Sequence, residues 1–562
     1  MHLGVIGLRF EHRREIAPAA VAGLVRSWIG TGFGYLLQAQ PVLSRLVAHA
    51  ANCSLLAGGH PPPSKRGPAV DQTKTPYFQV LLDYVDSGTT PFHTPGHKQG
   101  LGMHRLLREF VGDNVLAIDL TQILGLDDLL EPRDAIAQAE ALAAEAYGAD
   151  HSFFLINGST SGNQAMMMAA LGPGEKIALP RNAHKSCVGA LVMSGAIPVY
   201  MKPEVDERLH MDHTVTPQTV EQTLDEHPDI KAVFVVSPTY YGATADLQAI
   251  ERCVHERGKL LLVDEAWGPH LHFHPALPPS ATEIGADLVV NSTHKMLAAM
   301  SQASMLHQIG KRVDTDRLRA VLKMFLSTSP NLVLVASLDV ARMQMATEGP
   351  ALLSRTIELA NTTRARLNEI KDVYCFGDEL IGRPGVAGFD PTKVTVTVKQ
   401  LGYTGYEANE ILRYRYNVQC ELADLFNVLA LFTIGTDAAA AEKLIHGVRE
   451  LAREDRPVDI FSPSGVLERR LKSGTYNFPP IPPMAMTPRE AFLARTEKVR
   501  FRQSAGRICA EVITPYPPGI PIIAPGERIS KEVIEYLALE VKAGVHMQGP
   551  ADPELRTVRV VA

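Results

Sequence analysis

Asn291-Ser292-Thr293-His294-Lys295-Met296-Leu297 directly follows the apolar run Ala286-Asp287-Leu288-Val289-Val290. A short β-rich run that ends in small hydroxyl residues and then a lysine predicts a primary amine at the rim of a buried sheet. Desolvation at such a rim lowers the pKa of a lysine and makes its amine a better nucleophile. Taken alone, the pattern also fits a surface lysine on a strand-to-helix loop, so its meaning depends on the rest of the chain.

The length and composition set broad limits on that meaning. A chain of 562 residues predicts several domains, and 46% hydrophobic with 21% charged residues is typical of a soluble globular protein. The net charge of -6 gives no reason to expect a nucleic acid or an anionic membrane as partner. We expect no transmembrane helix, because no apolar run reaches spanning length. The 6 cysteines lack paired spacing, which favours a reducing, cytoplasmic compartment over a disulfide framework or a zinc site.

Changes in composition divide the chain into four predicted parts. Residues 1–72 form an arginine-containing, acid-poor extension with a Pro-rich end, and this composition fits either a targeting segment or a poorly packed tail. Residues 73–345 form the predicted major domain and residues 346–470 a smaller α+β domain. A Pro-rich segment separates these from a C-terminal domain at residues 471–562.

Strands alternate with helices in the predicted major domain. The predicted strands are residues 152–156, 176–179, 197–201, 232–236, 259–263 and 288–290, and the predicted helices are residues 76–86, 133–147, 161–171, 183–193, 217–226 and 247–257. This alternation predicts an α/β fold with a mostly parallel sheet covered on both faces. Beyond it we expect two long helices at residues 317–348 and 349–370, then strands at 393–398, 417–421 and 428–432 around a helical stretch at 405–413.

Ligands bind beyond the carboxyl ends of the strands in such sheets, and the polar motifs of this chain fall at those ends. Asn157-Gly158-Ser159-Thr160-Ser161-Gly162 lies between a strand and a helix, where backbone N–H groups and hydroxyls hold a phosphate, although an ordinary helix cap has the same composition. Asp264 ends an apolar strand and needs a cation, such as a protonated pyridine nitrogen, or else caps the next helix.

Two further strand ends complete the set. His184 follows a strand and is a candidate to stack on a cofactor ring, or is a hydrogen-bonded loop histidine. The segment from Ser237 to Gly242 ends another strand, and its hydroxyls either reach a ligand or form a turn. The order of phosphate loop, histidine, aspartate and Lys295 on a βα scaffold is typical of pyridoxal phosphate (PLP) enzymes of fold type I, the aspartate-aminotransferase-like class.

Five motifs together resemble one family within that class, the bacterial ornithine/lysine/arginine decarboxylases. They are Phe92-His93-Thr94-Pro95-Gly96-His97-Lys98, Asn182-Ala183-His184-Lys185-Ser186, Asp264-Glu265-Ala266, Ser292-Thr293-His294-Lys295 and Pro515-Tyr516-Pro517-Pro518-Gly519-Ile520-Pro521. The resemblance runs from about Thr73 to the C-terminus and is strongest to the short biosynthetic arginine decarboxylases without an N-terminal wing domain.

The resemblance implies a role for each matching residue. Lys295 is the expected Schiff-base lysine with His294 beside it, Asp264 the partner of the pyridinium nitrogen, and His184 the stacking residue. The expected phosphate ligands are Ser159, Thr160, Ser161 and Ser292. Trp267 stands in the cofactor site where close short relatives are expected to carry histidine, which puts the fine substrate preference in doubt.

The same resemblance implies PLP-dependent decarboxylation of a basic amino acid, with arginine favoured over lysine and ornithine, feeding polyamine biosynthesis. Asp127, Asp128, Glu421 and Asp424 are candidate carboxylates for the distal cation of the substrate. Either Lys295 or His294 is expected to protonate Cα. We expect at least a homodimer with shared active sites, in which the loop from His93 to Lys98 serves a neighbour.

Four alternatives remain at this stage. The enzyme class also contains aminotransferases, which grip the α-carboxylate with an arginine that the sequence does not identify. A catalytically silent, ligand-sensing paralogue is the alternative outside the enzymes. His270-Leu271-His272-Phe273-His274 suggests a metal site but lacks a carboxylate or cysteine at ligand spacing, so a packed polar loop is preferred. Gly30-Thr31-Gly32-Phe33-Gly34 lacks the dinucleotide fingerprint, so we expect no nucleotide there.

Overall fold

The computed structural model describes residues 70–454, 478–516, 519–542 and 544–562. The predicted N-terminal extension as far as residue 69, with its Gly-rich run at 30–34, lies outside the described residues. So do residues 455–477, which contain the predicted boundary of the C-terminal domain, and Pro517 and Pro518 of the last motif.

A seven-stranded sheet organises the larger part of the fold. Its strands are β1 His151–Leu155, β2 Lys176–Pro180, β3 Ile197–Met201, β4 Ile230–Val236, β5 Leu260–Asp264, β6 Leu288–Asn291 and β7 Ser304–Gln308. They lie in the order β1-β7-β6-β5-β4-β2-β3. β7 runs antiparallel to both of its neighbours, whereas the pairs β6-β5, β5-β4, β4-β2 and β2-β3 are parallel. The predicted mostly parallel sheet is confirmed.

Twelve helices accompany this sheet among the described residues, and the longer ones pack on its faces. They are α1 Pro76–Asp86, α2 Arg105–Val111, α3 Asp113–Ile118, α4 Ala135–Tyr147, α5 Gly158–Ala170, α6 Ser186–Ser194, α7 Pro217–Glu226, α8 Leu247–Glu256, α9 Ala281–Ile284, α10 Thr293–Met296, α11 Thr315–Phe325 and α12 Leu332–Asn368. The central strands are apolar and buried on both sides, as expected for parallel strands. A Cβ on Gly162 of α5 would lie 2.3 Å from Cγ2 of Val290, so glycine lets this helix pack directly on β6.

Two long helices are predicted with a break between residues 348 and 349, and the position of this break is wrong. The chain leaves the helix at Leu326, which is extended, and α12 begins at Leu332, where Asn331 caps it by accepting from the N–H groups of Val333 and Leu334. From there α12 runs without interruption through Gly349 and Pro350. The predicted domain boundary at residues 345–346 therefore falls inside a single helix.

A buried ion pair on α12 fixes the start of the described chain. Arg342 donates to the carbonyl oxygens of Gln72 (2.7 Å) and Lys74 (2.6 Å) and to the carboxylate of Asp339 (2.6 Å). The second oxygen of Asp339 accepts from the N–H of Tyr77 (2.9 Å). Arg342 and Asp339 are both 0% exposed. Gln72, at the end of the predicted extension, is thus bound to the major domain.

We expect Arg342→Met to lower the free energy of unfolding by about 3–5 kcal/mol, because it leaves Asp339 buried without its cation. Denaturant unfolding measures this, with Arg355→Met on the exposed side of the same helix as the control. Equal unfolding midpoints for the two variants would contradict the structural role of Arg342.

A second, antiparallel sheet lies beyond α12. Its strands are β8 Tyr374–Cys375, β9 Lys393–Thr397, β10 Leu422–Ala423 and β11 Asn427–Leu431, in the order β8-β9-β11-β10, with helices α13 Gly405–Tyr416 and α14 Ala438–Arg453. The predicted strand at residues 417–421 is wrong: Asn417 ends α13 in the left-handed conformation (φ 54°), so extended pairing starts only at Leu422.

The C-terminal part contains two small antiparallel pairs. β12 Thr496–Arg500 pairs with β15 Thr557–Val561, and β13 Thr514–Tyr516 pairs with β14 His546–Gln548. Helix α15 Pro488–Leu493 precedes β12, and helix α16 Lys531–Lys542 lies between β13 and β14 in sequence. In the described part of the chain, no helix combines the length and apolar character needed to cross a lipid bilayer.

Candidate active site

Lys295 lies in the short helix α10, directly after β6. Its Nζ atom is 4.0 Å from the centre of the Trp267 ring, close enough for a cation–π contact. Burial lowers the pKa of Lys295 to about 8, although the carboxylates of Asp264 and Glu421 oppose this shift and Lys393 adds to it. A lysine with this pKa carries an appreciable neutral fraction near pH 7, which is the form that attacks a carbonyl.

Asp264 ends β5 and is 4% exposed. One carboxylate oxygen accepts from Nδ2 of Asn163 (2.8 Å) and the other from the N–H of Ala266 (3.0 Å). Burial raises the pKa of Asp264, and the Asn163 hydrogen bond and the charge of Lys295 oppose that shift. Both hydrogen-bond donors are neutral, so the carboxylate suits a ligand that brings a positive charge.

His184 lies in the loop between β2 and α6. Its Nδ1 accepts from the N–H of Ser186 (3.2 Å) and lies 2.9 Å from the Ser186 hydroxyl, so in the neutral ring the proton sits on Nε2. Burial, together with the charges of Lys295 and Lys185, lowers the pKa of His184 to about 4. The imidazole is therefore neutral and offers a flat face.

One hydrogen-bonded chain joins His184 to Asp264. The Asn163 amide donates to the Ser186 hydroxyl (3.1 Å) as well as to Asp264, and Ser186 contacts His184. The sequence reading missed Asn163, which lies on α5 five residues after Gly158. Its Oδ1 atom is buried without a hydrogen-bond partner among the described residues.

The amino end of α5 faces the same side of the sheet. Asn157 precedes this helix and makes no side-chain cap, so the first N–H groups of α5 are not used by a capping side chain. The Ser292 hydroxyl, on the chain directly after β6, donates to the Ser159 hydroxyl (2.7 Å). Thr160 is exposed, and the Ser161 hydroxyl donates back to the carbonyl of Gly158 (2.9 Å).

We expect Ser292→Ala to weaken binding of the proposed cofactor about 10- to 100-fold, since a hydrogen bond to a charged group contributes about 1.5–3 kcal/mol. Titrating the cofactor-free protein with PLP measures the change in dissociation constant. Ser161→Ala is the matched control, because the Ser161 hydroxyl is already bonded within its own helix. A larger effect at Ser161 than at Ser292 would contradict this arrangement.

His294 adjoins Lys295 but differs from it in its hydrogen bonding. Its Nδ1 lies 2.8 Å from the carbonyl oxygen of Ala303, and because a carbonyl only accepts, Nδ1 must carry the proton. Burial lowers the pKa of His294, the Ala303 bond opposes this, and the charge of Lys295 lowers it further. At neutral pH the remaining nitrogen, Nε2, is an acceptor.

The four candidate substrate carboxylates have different environments. Asp127 accepts from the N–H groups of Asp128, Arg133, Asp134 and Ile136, and Asp128 accepts from that of Leu130, so both are held by local backbone groups. Asp424 accepts from Tyr241, from Asn427 and from the N–H of Phe426. Glu421 differs, because its side chain is exposed and its charge acts on Lys295.

Three other sequence motifs have local partners. The Thr239 hydroxyl accepts from the N–H of Ala243 (3.2 Å), as in a turn. In the loop from His93 to Lys98, His93 contacts the Tyr84 hydroxyl (2.6 Å) and His97 contacts Asp119 (3.1 Å). The three alternating histidines diverge: His270 contacts Asp390, His272 Glu283, and His274 Ser354.

The C-terminal part also reaches this site. The N–H of Lys185 donates to the carbonyl of Gly519 (3.2 Å), and a Cβ on Gly519 would lie 3.5 Å from the His184 ring. Gly519 has φ +97°, a conformation that other residues rarely adopt. Gly519, a residue of the C-terminal motif of the resemblance, thus lies beside His184.

A half-buried lysine, an aspartate, a neutral histidine and a hydroxyl-lined helix end meet at the carboxyl ends of a mostly parallel sheet. This arrangement defines a fold-type-I enzyme of the aspartate-aminotransferase-like class. The family description "Orn/Lys/Arg decarboxylase, major domain" matches residues 75–440, and "Orn/Lys/Arg decarboxylase, C-terminal domain" matches residues 471–551. The chain belongs to the Orn/Lys/Arg decarboxylase family and is an amino acid decarboxylase.

Individual relatives agree with this assignment. Arginine decarboxylase of Bacillus subtilis (strain 168) is 43% identical over 493 residues, covering 88% of this chain and 99% of that protein. Arginine decarboxylase of Bacillus anthracis is 42% identical over 495 residues, covering 88% and 98%. The crystal structure of the Francisella novicida lysine decarboxylase LdcF superposes with a TM-score of 0.76 at 24% identity, covering 87% of this chain and 81% of that one, a likeness that concerns the fold.

Proposed function

We propose that this chain is a PLP-dependent arginine decarboxylase that releases CO2 and agmatine, a polyamine precursor. The observation that carries the proposal is the half-buried Lys295 amine, which lies 4.0 Å from the centre of the Trp267 ring and whose pKa desolvation lowers to about 8. Bound PLP would supply an electron sink for the pair of electrons left at Cα when CO2 departs.

The residues present fit that cofactor. The first turn of α5 and the hydroxyls of Ser159 and Ser292 suit a phosphate dianion. Asp264 has only neutral donors and suits a protonated ring nitrogen, while the uncharged His184 suits stacking on the ring. The unpaired, buried Oδ1 of Asn163 adds a polar acceptor beside Asp264. Lys295 would hold the aldehyde carbon covalently.

Of the two candidate proton donors, Lys295 is the better one. The Lys295 Nζ carries a proton to give at neutral pH, since its pKa is about 8. Neutral His294 has its one proton committed to the Ala303 carbonyl, so its Nε2 is able to take a proton and not to deliver one. We therefore assign protonation of Cα to Lys295 and a supporting role to His294.

Arginine is the proposed substrate because the relatives from Bacillus subtilis and Bacillus anthracis, at 43% and 42% identity, are both named arginine decarboxylase. Its guanidinium is a permanent cation that pairs with a carboxylate in a fork geometry. Glu421 is the candidate partner, because it is exposed and electrostatically coupled to Lys295. Asp127, Asp128 and Asp424 already accept hydrogen bonds from their own surroundings.

We expect Glu421→Gln to raise KM for arginine about tenfold or more. The substrate guanidinium would lose its charge-assisted hydrogen bond to the Glu421 carboxylate, which is worth about 1.5–3 kcal/mol. Steady-state kinetics of CO2 release measures it, and PLP binding should change much less. Glu348→Gln, an exposed glutamate on α12, is the control. Unchanged KM in Glu421→Gln would remove Glu421 from the substrate site.

Assaying the purified protein with arginine, lysine and ornithine, with the amine products identified, tests the function directly. Agmatine and CO2 formed fastest from arginine support the proposal, while cadaverine or putrescine as the main product would reassign the substrate. Formation of an α-keto acid without CO2 would indicate an aminotransferase. A protein that binds the amino acid but lacks the absorbance of lysine-bound PLP would be a silent, ligand-sensing paralogue.

We also propose that the enzyme works as a homodimer, at least, with a second copy covering the segment around α2. No residue of α2 is buried within its own chain, and Phe92, Phe110 and Leu124 are 92%, 89% and 100% exposed. Large exposed apolar side chains this close in sequence mark an interaction surface. A cytoplasmic location is consistent with the free thiols of the described cysteines.

Light scattering after size-exclusion chromatography tests the dimer. Phe110→Glu is expected to shift the protein towards monomer and to lower activity, because a charge replaces an apolar contact. Tyr414→Glu, at another exposed aromatic residue on α13, is the control. A native protein that is monomeric at assay concentration would overturn the proposal.

A further inference from the structure

A fully buried lysine from the second sheet reaches the residues beside Lys295. Lys393 begins β9 and is 0% exposed. Its Nζ donates to the backbone carbonyl of Trp267 (3.0 Å) and to Oδ2 of Asp390 (2.7 Å), and it lies 3.4 Å from Sδ of Met296. Trp267 carries the ring against Lys295, and Met296 follows Lys295 in the chain.

The partners of this amine are those that an ammonium requires. The Thr392 hydroxyl donates to the other oxygen of Asp390 (2.7 Å). The same hydroxyl oxygen accepts from the Nζ of Lys393 (3.3 Å). Acceptors therefore surround an amine with three N–H bonds. The acceptors also come from both parts of the fold, so the contact joins the small sheet to the loops after β5 and β6.

Asp390 holds the charge of Lys393 in place. His270, the first of the three alternating histidines, contacts Asp390 at 3.0 Å and is 0% exposed. Burial alone would raise the pKa of Asp390, but the charges of Lys393 and His270 reverse this and hold that pKa below its ordinary value. Burial lowers the pKa of Lys393, and Asp390 opposes the shift.

We propose that Lys393 is a positioning residue for Lys295: it holds the Trp267 backbone and the Met296 side chain, which contact or adjoin that lysine, and it places a second positive charge near its amine. This inference rests on the proposed function. The charge of Lys393 disfavours protonation of Lys295 and so offsets Asp264 and Glu421, which favour it. In this way Lys393, which lies outside the cofactor motif, influences the fraction of Lys295 that is uncharged at a given pH.

Other charged groups face the same region. Those that act on Lys295 are Asp264, Glu421 and Lys393, with His184 and His294 adjacent. Those around Lys393 are Asp390, His270, Glu421 and Lys295, and Arg364 donates to the Lys393 carbonyl. Of the groups around Lys295, Lys393 is the one that donates to the Trp267 carbonyl and contacts the Met296 sulfur.

The test is a pH titration of the full-length, PLP-loaded protein followed by cofactor absorbance, together with the pH dependence of PLP rebinding to the resolved protein. In Lys393→Met the midpoint that reports Lys295 should move up by about one pH unit, because a like charge is lost. The neutral double variant Asp390→Asn/Lys393→Met should move it in the same direction without leaving Asp390 unpaired. Lys393→Arg should stay closer to the native midpoint.

Lys176→Met is the matched control, because it removes an ion pair with Asp229 (2.8 Å) at the opposite end of β2 and should leave the midpoint unchanged. A double variant with the native midpoint, or one that no longer folds, would overturn the proposal, since Lys393 would then serve stability alone. Failure of the proposed function is a separate result: the native protein would hold no PLP on Lys295 or release no CO2.

Discussion

Lys295→Ala is expected to lower kcat/KM for decarboxylation by at least about 10^4-fold, since under the proposed function it removes both the covalent attachment of the cofactor and the proposed acid for Cα. The structure gives the physical reason: this amine is buried against Trp267 at a pKa of about 8, so roughly a tenth of it is neutral at pH 7. An exposed lysine of ordinary pKa would be almost wholly protonated at that pH.

Borohydride reduction followed by peptide mass spectrometry measures the covalent part of this prediction. The native protein should carry the reduced cofactor on Lys295, and Lys295→Ala should carry none. Lys185→Ala removes another lysine next to His184 and should keep the label. A label on a different side chain of the native protein would refute the assignment of Lys295.

Asp264→Asn should lower kcat by about 10^2 to 10^3-fold, the range observed when one preorganised electrostatic contact to developing charge is removed. The substitution keeps the size of the side chain but removes the negative charge that favours a protonated ring nitrogen. Covalent binding at Lys295 should persist, so the loss should appear in turnover and not in labelling.

Glu265→Gln is the control for Asp264→Asn, because the neighbouring carboxylate is equally buried but faces Ser280 (2.7 Å) and the N–H of Ala281 (2.6 Å). Burial raises the pKa of Glu265 to about 8, so the side chain is largely uncharged at pH 7 and the amide resembles it. Equal losses of kcat in both variants would show that packing and not the charge of Asp264 is responsible.

Local patterns in the sequence were sufficient to predict many of the strands and helices of the fold. Strand β3 and helices α1 and α7 have the predicted bounds, because a Pro or a run of apolar residues marks their ends. Strand β7 was missed, since its last two residues are His307 and Gln308. Both are 0% exposed: the His307 ring contacts Ser152 and Asn291, and the Gln308 amide nitrogen donates to the Val313 carbonyl, which are partners that only folding supplies.

The sequence by itself determined the class of the fold and the motifs at the strand ends, because hydrophobic periodicity and turn residues are local properties of the chain. Tertiary structure alone decided which polar groups share a site. Asn163 donates a hydrogen bond to Asp264, which lies 101 residues away in the sequence, and Lys393 donates to the Trp267 carbonyl, 126 residues away. The same holds for the candidate carboxylates, since only the folded chain reveals that Asp127 and Asp424 bind their own neighbours while Glu421 stays exposed beside Lys295. Hydrogen bonding and desolvation depend on distance in space, and no local pattern records them.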